Sequence, residues 1–223
     1  MLDGTLHRRH LLRSMLAASA GFAGATRLDS VVVHSLEAPI NLSPDAALKE
    51  LIAGNRRCVA NQLTSIQHDL EALRNHTAEK QEPFAAILAC ADSRVPVELI
   101  FDQTIGQLFV TRVAGNLATP EIIASLEYAV AVLGVKTILV LGHSNCGAVK
   151  AAMNADRVPG QISSLYPPLR RAVEQSGGSL ATAIEANSNV QAELLRTSST
   201  VIRDAVTAST VTVASGVYDL ATG

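Results

Sequence analysis

Two short apolar runs, 84–89 and 137–141, each stop abruptly at a polar string. The first ends in Cys90-Ala91-Asp92-Ser93-Arg94 and the second in Gly142-His143-Ser144-Asn145-Cys146-Gly147. Runs of this length, closed by polar residues, read as strands covered on both faces. The segments 107–111 and 210–218 also read as strands, with helical stretches between them. Strands alternating with helices predict an α/β fold with a mainly parallel sheet flanked by helices, a helical arm before it and a C-terminal edge strand after it. Open parallel sheets gather functional groups at the carboxyl ends of their strands. Both polar strings therefore belong to one rim of the sheet.

Ser43 is placed to cap a first helix, with Pro44 at its first position and Leu48, Leu51 and Ile52 on an apolar stripe. A polar helix is expected over 67–80, then short or medium helices over 97–101, 120–133 and 145–153. Gly134 supplies a stop before the third strand. Pro159 and the Pro167-Pro168 pair predict a loop-rich section, and one long helix is expected over 180–206. Residues 43–223 thus read as one domain without repeats. Apolar residues make up 48% of the chain and charged residues 17%, so it is not a disordered polymer. Trp is absent and aromatics are 3%, which leaves the core to Leu, Ile, Val and Ala. A formal net charge of −2 gives no electrostatic footprint for nucleic acid.

The first residues stand apart. Arg8-Arg9 precede a short apolar stretch, interrupted by Arg13, that closes on Ala23-Gly24-Ala25. A charged region, an apolar region and a small-residue site make an export signal over 1–25, and the paired arginines resemble the twin-arginine type, which carries folded proteins. The apolar stretch is too short to span a bilayer. The expected location is the periplasm or another exported compartment, with 26–42 as a flexible lead-in.

Two thiols and one imidazole, Cys90, Cys146 and His143, form a three-ligand set suited to zinc, leaving a fourth tetrahedral position for water or substrate. His143 and Cys146 are three residues apart and so share one face of a turn or opening helix. A helix N-terminus favours the thiolate of Cys146. Asp92, two residues from Cys90, can accept a hydrogen bond from the reacting water, and Arg94 can hold its carboxylate through a charge-assisted pair. Three cysteines are too few for a disulfide scaffold. Cys58 matches no ligand position and is expected in the core or half-exposed.

Cys-x-Asp-x-Arg followed downstream by His-x-x-Cys resembles the signature of the β-class carbonic anhydrases. The likeness runs from about residue 45 to the C-terminus and includes the stretches 102–116 and 135–152. It implies one zinc ion per subunit on Cys90, His143 and Cys146, with Asp92 and Arg94 as catalytic residues for the reversible hydration of carbon dioxide. It also implies a homodimer or higher homo-oligomer, N-terminal helices embracing the partner, and an active site near the subunit interface. Family positions lining the substrate cleft fall on Gln81, Phe109, Ala114, Tyr128 and Gly147. Gln81 is expected to donate to a substrate oxygen, the next three to form walls, and Gly147 to allow close backbone approach. Relatives that hydrolyse carbonyl sulfide or carbon disulfide use the same zinc site and remain an alternative. A proton shuttle is not identifiable among His34, His68 and His76.

A rival from another class starts from Gly142-His143-Ser144, which resembles the nucleophile elbow of α/β serine hydrolases with Ser144 as nucleophile. Cys146 replaces the elbow's last glycine, and no histidine follows His143 to complete the triad. A dinucleotide site lacks its glycine-rich fingerprint, and a thiol redox module lacks a C-x-x-C pair.

The likeness also departs from the family. Val113 stands where relatives often carry Asn. Ile87 stands where members with a bicarbonate-inhibited form carry Trp, although Arg112 matches another member of that effector pocket. The expected outcome is weak or no inhibition by bicarbonate; a sharp bicarbonate-dependent fall in the hydration rate would contradict it.

Overall fold

The computed structural model describes residues 42–67 and 70–223. The expected export signal over 1–25, His34 and His68 lie outside the described residues, as does the lead-in apart from Leu42. The helices are α1 (Pro44–Val59), α2 (Leu70–Thr77), α3 (Val97–Ile100), α4 (Pro120–Ala131), α5 (Gly147–Asn154), α6 (Tyr166–Gln175), α7 (Leu180–Ser198) and α8 (Thr200–Thr207). The strands are β1 (Ala85–Ala89), β2 (Leu108–Arg112), β3 (Thr137–His143) and β4 (Thr212–Tyr218). They form one sheet in the order β2-β1-β3-β4. Every pairing is parallel.

Side chains alternate across a strand, and the sheet uses both faces. Ala86, Leu88, Ile138, Val140 and Val213 pack beneath α4, α7 and α8 through Leu126, Ala129, Ala192, Leu195 and Ile202. Ala85, Ile87, Ala89, Leu139 and Leu141 face the other way, against Ala47 and Leu51 of α1 and Val97 and Ile100 of α3. β1 and β3 are therefore buried at every residue, which is why they carry unbroken apolar runs. Ile87, at the position expected of Trp in the inhibited relatives, is wholly inside this core.

Local chemistry accounts for most helix ends. The Ser43 hydroxyl accepts from the Ala46 amide at 3.2 Å, Pro44 opens α1, and Arg56 and Arg57 sit in its last turn, where they suit the helix dipole. Gly54 is required by packing, since a Cβ there would lie 1.8 Å from the Phe101 carbonyl oxygen. Gly142 does the same for β3, where a Cβ would lie 2.4 Å from the Ser188 hydroxyl on α7.

Two expectations are corrected. The section predicted as loop contains a 3₁₀ turn, Gly160–Leu165, and the whole of α6. Pro167 and Pro168 fall in the first turn of α6, where missing N–H groups break no helical bond. The single helix expected over 180–206 is two. Ser199 is extended (φ −105°, ψ 120°), and its hydroxyl accepts from the Ile202 amide at 3.0 Å while donating to Glu127 at 2.6 Å. A capping serine inside an apolar-periodic stretch thus ends α7 and starts α8. The polar helix expected over 67–80 is confined to α2, and half-buried Cys58 lies on α1.

Asp102 ties α1 to the segment after α3. It has a left-handed backbone (φ 48°) and a fully buried carboxylate that accepts from Arg57 Nε at 2.5 Å, from the Thr64 hydroxyl at 2.8 Å, and from the Thr64 and Ser65 amides at 2.8 Å each. Burial works against the charge, but the Ser65 amide, the Arg57 guanidinium and Thr64 outweigh it and lower the pKa to about 2. The stabilisation is complete above the unfolded carboxyl pKa, near ~3.9, and is lost as pH falls through the folded value. Asp102→Ala leaves the Arg57 Nε, the Thr64 hydroxyl and two amides without their acceptor, while Arg57 Nη2 keeps Glu50 at 3.1 Å. Arg57 is 31% exposed, so water recovers part of that loss, and a cost of about 3 kcal/mol is expected. Urea titrations at pH 7 and pH 3 check this: the wild type should weaken between them, and the variant should be weaker at pH 7 with a flatter pH response.

Candidate metal centre

The register that places Ala89 opposite Leu141 brings the residues that follow, Cys90 and then Gly142-His143, to one rim of the sheet. Cys90 comes directly after β1. Arg112, the last residue of β2, donates from Nε to the Cys90 carbonyl at 2.9 Å and from Nη2 to the Asp92 carbonyl at 2.5 Å, fixing the path between them. His143 is the final residue of β3 rather than the first beyond it. Asn145 then takes a left-handed conformation (φ 56°), tolerable for Asn, and turns the chain so that Cys146 becomes the residue capping α5 rather than part of it.

The Cys90 Sγ, Cys146 Sγ and one His143 ring nitrogen lie within 4.8 Å of one another. All three residues are buried, and Leu117, Val149, Leu169 and Ile184 close an apolar floor around the thiols. His143 Nδ1 lies 3.0 Å from the Ser144 carbonyl, to which it donates, so the proton sits on Nδ1 and the lone pair on Nε2. Nε2 is buried and has no hydrogen-bond partner. A buried nitrogen lone pair aimed at two buried thiols is a site that fits a cation.

The electrostatics point the same way. The Cys146 thiol donates to Cys90 and, with His143 and the Gly115 amide, pulls the Cys90 pKa down against the effect of burial. The same bond and burial push Cys146 up. The α5 amides of Ala148 and Val149 do favour the Cys146 thiolate, as expected of a helix N-terminus, but the Cys90 bond outweighs them. Burial disfavours a charged His143, yet the neighbouring Cys90 sulfur raises its pKa overall. A divalent cation here would take the place of the shared thiol proton and be met by the free Nε2 lone pair. Two sulfurs and one nitrogen are the donors zinc prefers, with room for a fourth ligand.

Asp92 stands at the mouth of this cluster, its Oδ2 3.8 Å from His143 Nε2. Arg94 grips it three times: Nε to Oδ1 at 2.9 Å, Nη2 to Oδ2 at 2.8 Å, and its own amide to Oδ1 at 2.9 Å. The Arg94 side chain, followed by its amide, holds the Asp92 carboxyl well below the usual carboxylate range. Oδ1 is saturated by two donors, while Oδ2 keeps a lone pair free on the side of the cluster.

The expected cleft residues divide. Ala114, half-buried, and Gly147, exposed at the start of α5, lie at the rim with Cys90 and Cys146. A Cβ on Gly147 would meet nothing within 4 Å, so this glycine leaves open space rather than relieving a clash. Gln81 is exposed before the amino end of β1, the opposite end of the strand from Cys90. Phe109 pairs with Ala86, four positions before Cys90, which is about 13 Å along the strand. Tyr128, 47% exposed near the end of α4, meets Phe109 with ring centroids 6.3 Å apart. One chain therefore does not bring these three to its own metal cluster.

Ser144 is not arranged as a nucleophile. Its hydroxyl accepts from the Leu220 amide at 2.9 Å, and the neighbouring imidazole binds its carbonyl rather than its hydroxyl. Motif reading missed Gly115, whose amide donates to Cys90 Sγ at 3.3 Å. The available signal was the Gly115-Asn116 pair after β2, two residues suited to the left-handed turn that they adopt (φ 79° and 44°).

The fold and the site together are a parallel α/β sheet that carries two thiols, an imidazole and a guarded carboxylate at the carboxyl rim of its strands, a donor set that could hold a metal ion. The carbonic anhydrase family model matches residues 85–223. Carbonic anhydrase 2 of Mycobacterium tuberculosis is 48% identical over 117 residues, which is 52% of this chain and 55% of that protein. Carbonic anhydrase of Mycolicibacterium smegmatis is 45% identical over 115 residues, with 52% and 55% covered. The chain thus spans about half the length of these relatives. Among solved structures, the Coccomyxa β-carbonic anhydrase in complex with acetazolamide superposes with a TM-score of 0.61 at 27% identity, covering 78% of this chain and 83% of that one. A tetrameric β-carbonic anhydrase from Sordaria macrospora also gives 0.61, at 25% identity, covering 78% and 92%. The chain belongs to the β-class carbonic anhydrase family.

The cluster predicts stoichiometric metal. Elemental analysis of the purified protein should find close to one zinc per chain, falling to near none in Cys146→Ser or His143→Ala, with Ser144→Ala retaining it.

Proposed function

We propose that this protein catalyses the reversible hydration of carbon dioxide to bicarbonate and a proton, with one zinc ion per subunit held by Cys90, His143 and Cys146. The observation that carries this reading is the unpartnered, buried His143 Nε2 converging with two buried thiols. Zinc, when bound, supplies the Lewis acidity that lets water yield a nucleophile near neutral pH. The remaining work belongs to the chain. Asp92, whose carboxyl Arg94 holds well below the usual carboxylate range, accepts the water's hydrogen bond on its free Oδ2 lone pair. That bond would orient the water and leave its oxygen free to attack the substrate carbon. Open space over Gly147 and the methyl group of Ala114 suit a small, uncharged substrate.

Gln81, Phe109 and Tyr128 lie too far from their own cluster to line its cleft, so a second copy of the chain is the natural supplier. A homodimer in which these residues border the partner's Gly147 and Ala114 accounts for a half-exposed Tyr128 and an exposed Gln81. We further assign the protein to the periplasm or another exported compartment, on the strength of Arg8-Arg9, the short apolar stretch and Ala23-Gly24-Ala25. No helix among the described residues is long and apolar enough to cross a membrane.

Stopped-flow hydration assays test the reaction. The wild type should hydrate carbon dioxide, Asp92→Ala should lose at least about 100-fold in kcat/KM while keeping zinc, and Ser144→Ala should remain active. A metal-loaded wild type without hydration activity would overturn the reading. Analytical ultracentrifugation of Tyr128→Arg should show a shift toward monomer with matching loss of activity. N-terminal sequencing of the exported protein should begin after Ala25.

A further inference from the structure

We propose that Asn187 and Gln191, buried on α7, are positioning residues for Cys90, acting through the loop at 113–118. This rests on the metal-site reading above. α7 turns a largely apolar face to the core, yet that face also carries Asn187 and Gln191, which are 0% and 1% exposed. They are one helical turn apart and therefore neighbours. Asn187 Nδ2 donates to the Gly115 carbonyl at 2.8 Å and to Asn116 Oδ1 at 3.4 Å. Its Oδ1 accepts from Gln191 Nε2 at 3.1 Å, and Gln191 Nε2 also donates to the Pro168 carbonyl at 3.4 Å. Gln191 Oε1 accepts from the Ala118 amide at 2.9 Å. Both N–H groups and the oxygen of each side-chain amide are used, so this is a completed ladder rather than a tolerated pair of polar residues.

What the ladder grips is the loop that donates to a metal ligand. Between β2 and α4 the chain has no regular structure, and it turns through two consecutive left-handed residues, Gly115 and Asn116. On one side it is held to the Cys90 strand end, by Val113 to the Ala89 carbonyl at 3.2 Å and by Ala91 to the Val113 carbonyl at 3.3 Å. On the other side it is held by α7. Clamping the Gly115 carbonyl and the Ala118 amide fixes the turn, and with it the direction of the Gly115 amide, 3.3 Å from Cys90 Sγ. An N–H group aimed at a thiolate withdraws charge from the sulfur and orients it, as outer partners do for metal ligands generally. Neither amide touches Cys90; each acts through the loop.

Asn187→Ala should bind zinc about 10–100-fold more weakly in chelator competition, and the sulfur-to-metal charge-transfer band of the cobalt-substituted protein should shift. Gln191→Ala should move both readouts in the same direction. Ser199→Ala removes the α8 cap, whose hydroxyl meets no residue of the loop; it should lower stability and leave both readouts in place. If Asn187→Ala does not fold, the same comparison is read on Gln191→Ala. Wild-type affinity with an unmoved band in the folded variants would overturn the proposal, as would an equal shift in Ser199→Ala. A wild type that takes up neither zinc nor cobalt would overturn the metal reading itself, and with it the role assigned to the ladder.

Discussion

The parallel pairing of β1 with β3 is the interaction on which the site depends. Both are inner strands covered on both faces, so a one-residue slip would turn every core side chain to the wrong face. In the observed register the two strands end together, and residues distant in sequence emerge about 4.8 Å apart. Cys90 needs no long loop to reach His143, and the Asn145 turn returns Cys146 to the same point. Cys90 and His143 are thus placed by two strands that are buried at every residue.

Around that point the protein divides a dry floor from a wet rim. Leu117, Val149, Leu169 and Ile184 exclude water from the sulfurs, which strengthens every charge interaction made there. Asp92 and Arg94 sit on the solvent side, and their three mutual hydrogen bonds are local, spanning two residues of chain. Positioning comes from outside the motif: Arg112 holds the carbonyls of Cys90 and Asp92, and Gly115 donates to the sulfur. The C-terminus joins in as well, since Ser144 accepts from Leu220 and donates its amide to the Tyr218 carbonyl.

The residues expected to line the cleft fall at opposite ends of the sheet. Ala114 and Gly147 lie with the ligands, whereas Gln81, Phe109 and Tyr128 lie toward the amino ends of the strands. The dimer proposed above joins the halves. Tyr128, 47% exposed, would lie at that proposed interface.

Much of this was legible in the chain itself. Unbroken apolar runs marked strands buried on both faces, alternation marked the parallel sheet, and Cys90, Asp92, Arg94, His143 and Cys146 stood in a spacing that pointed to the cluster the fold assembles. Those signals are local: they depend on side-chain type, period and a few residues of separation. The break at Ser199, the helix begun over Pro167-Pro168, the buried Asp102 charge and the α7 amides were not legible, because each is decided by a partner distant in sequence. A serine can cap or continue a helix, and a buried asparagine can be core filler or a clamp. Sequence by itself determined which atoms were available for the chemistry. Only the tertiary structure decided which of them meet, since strand register and helix packing, unlike composition, set distance.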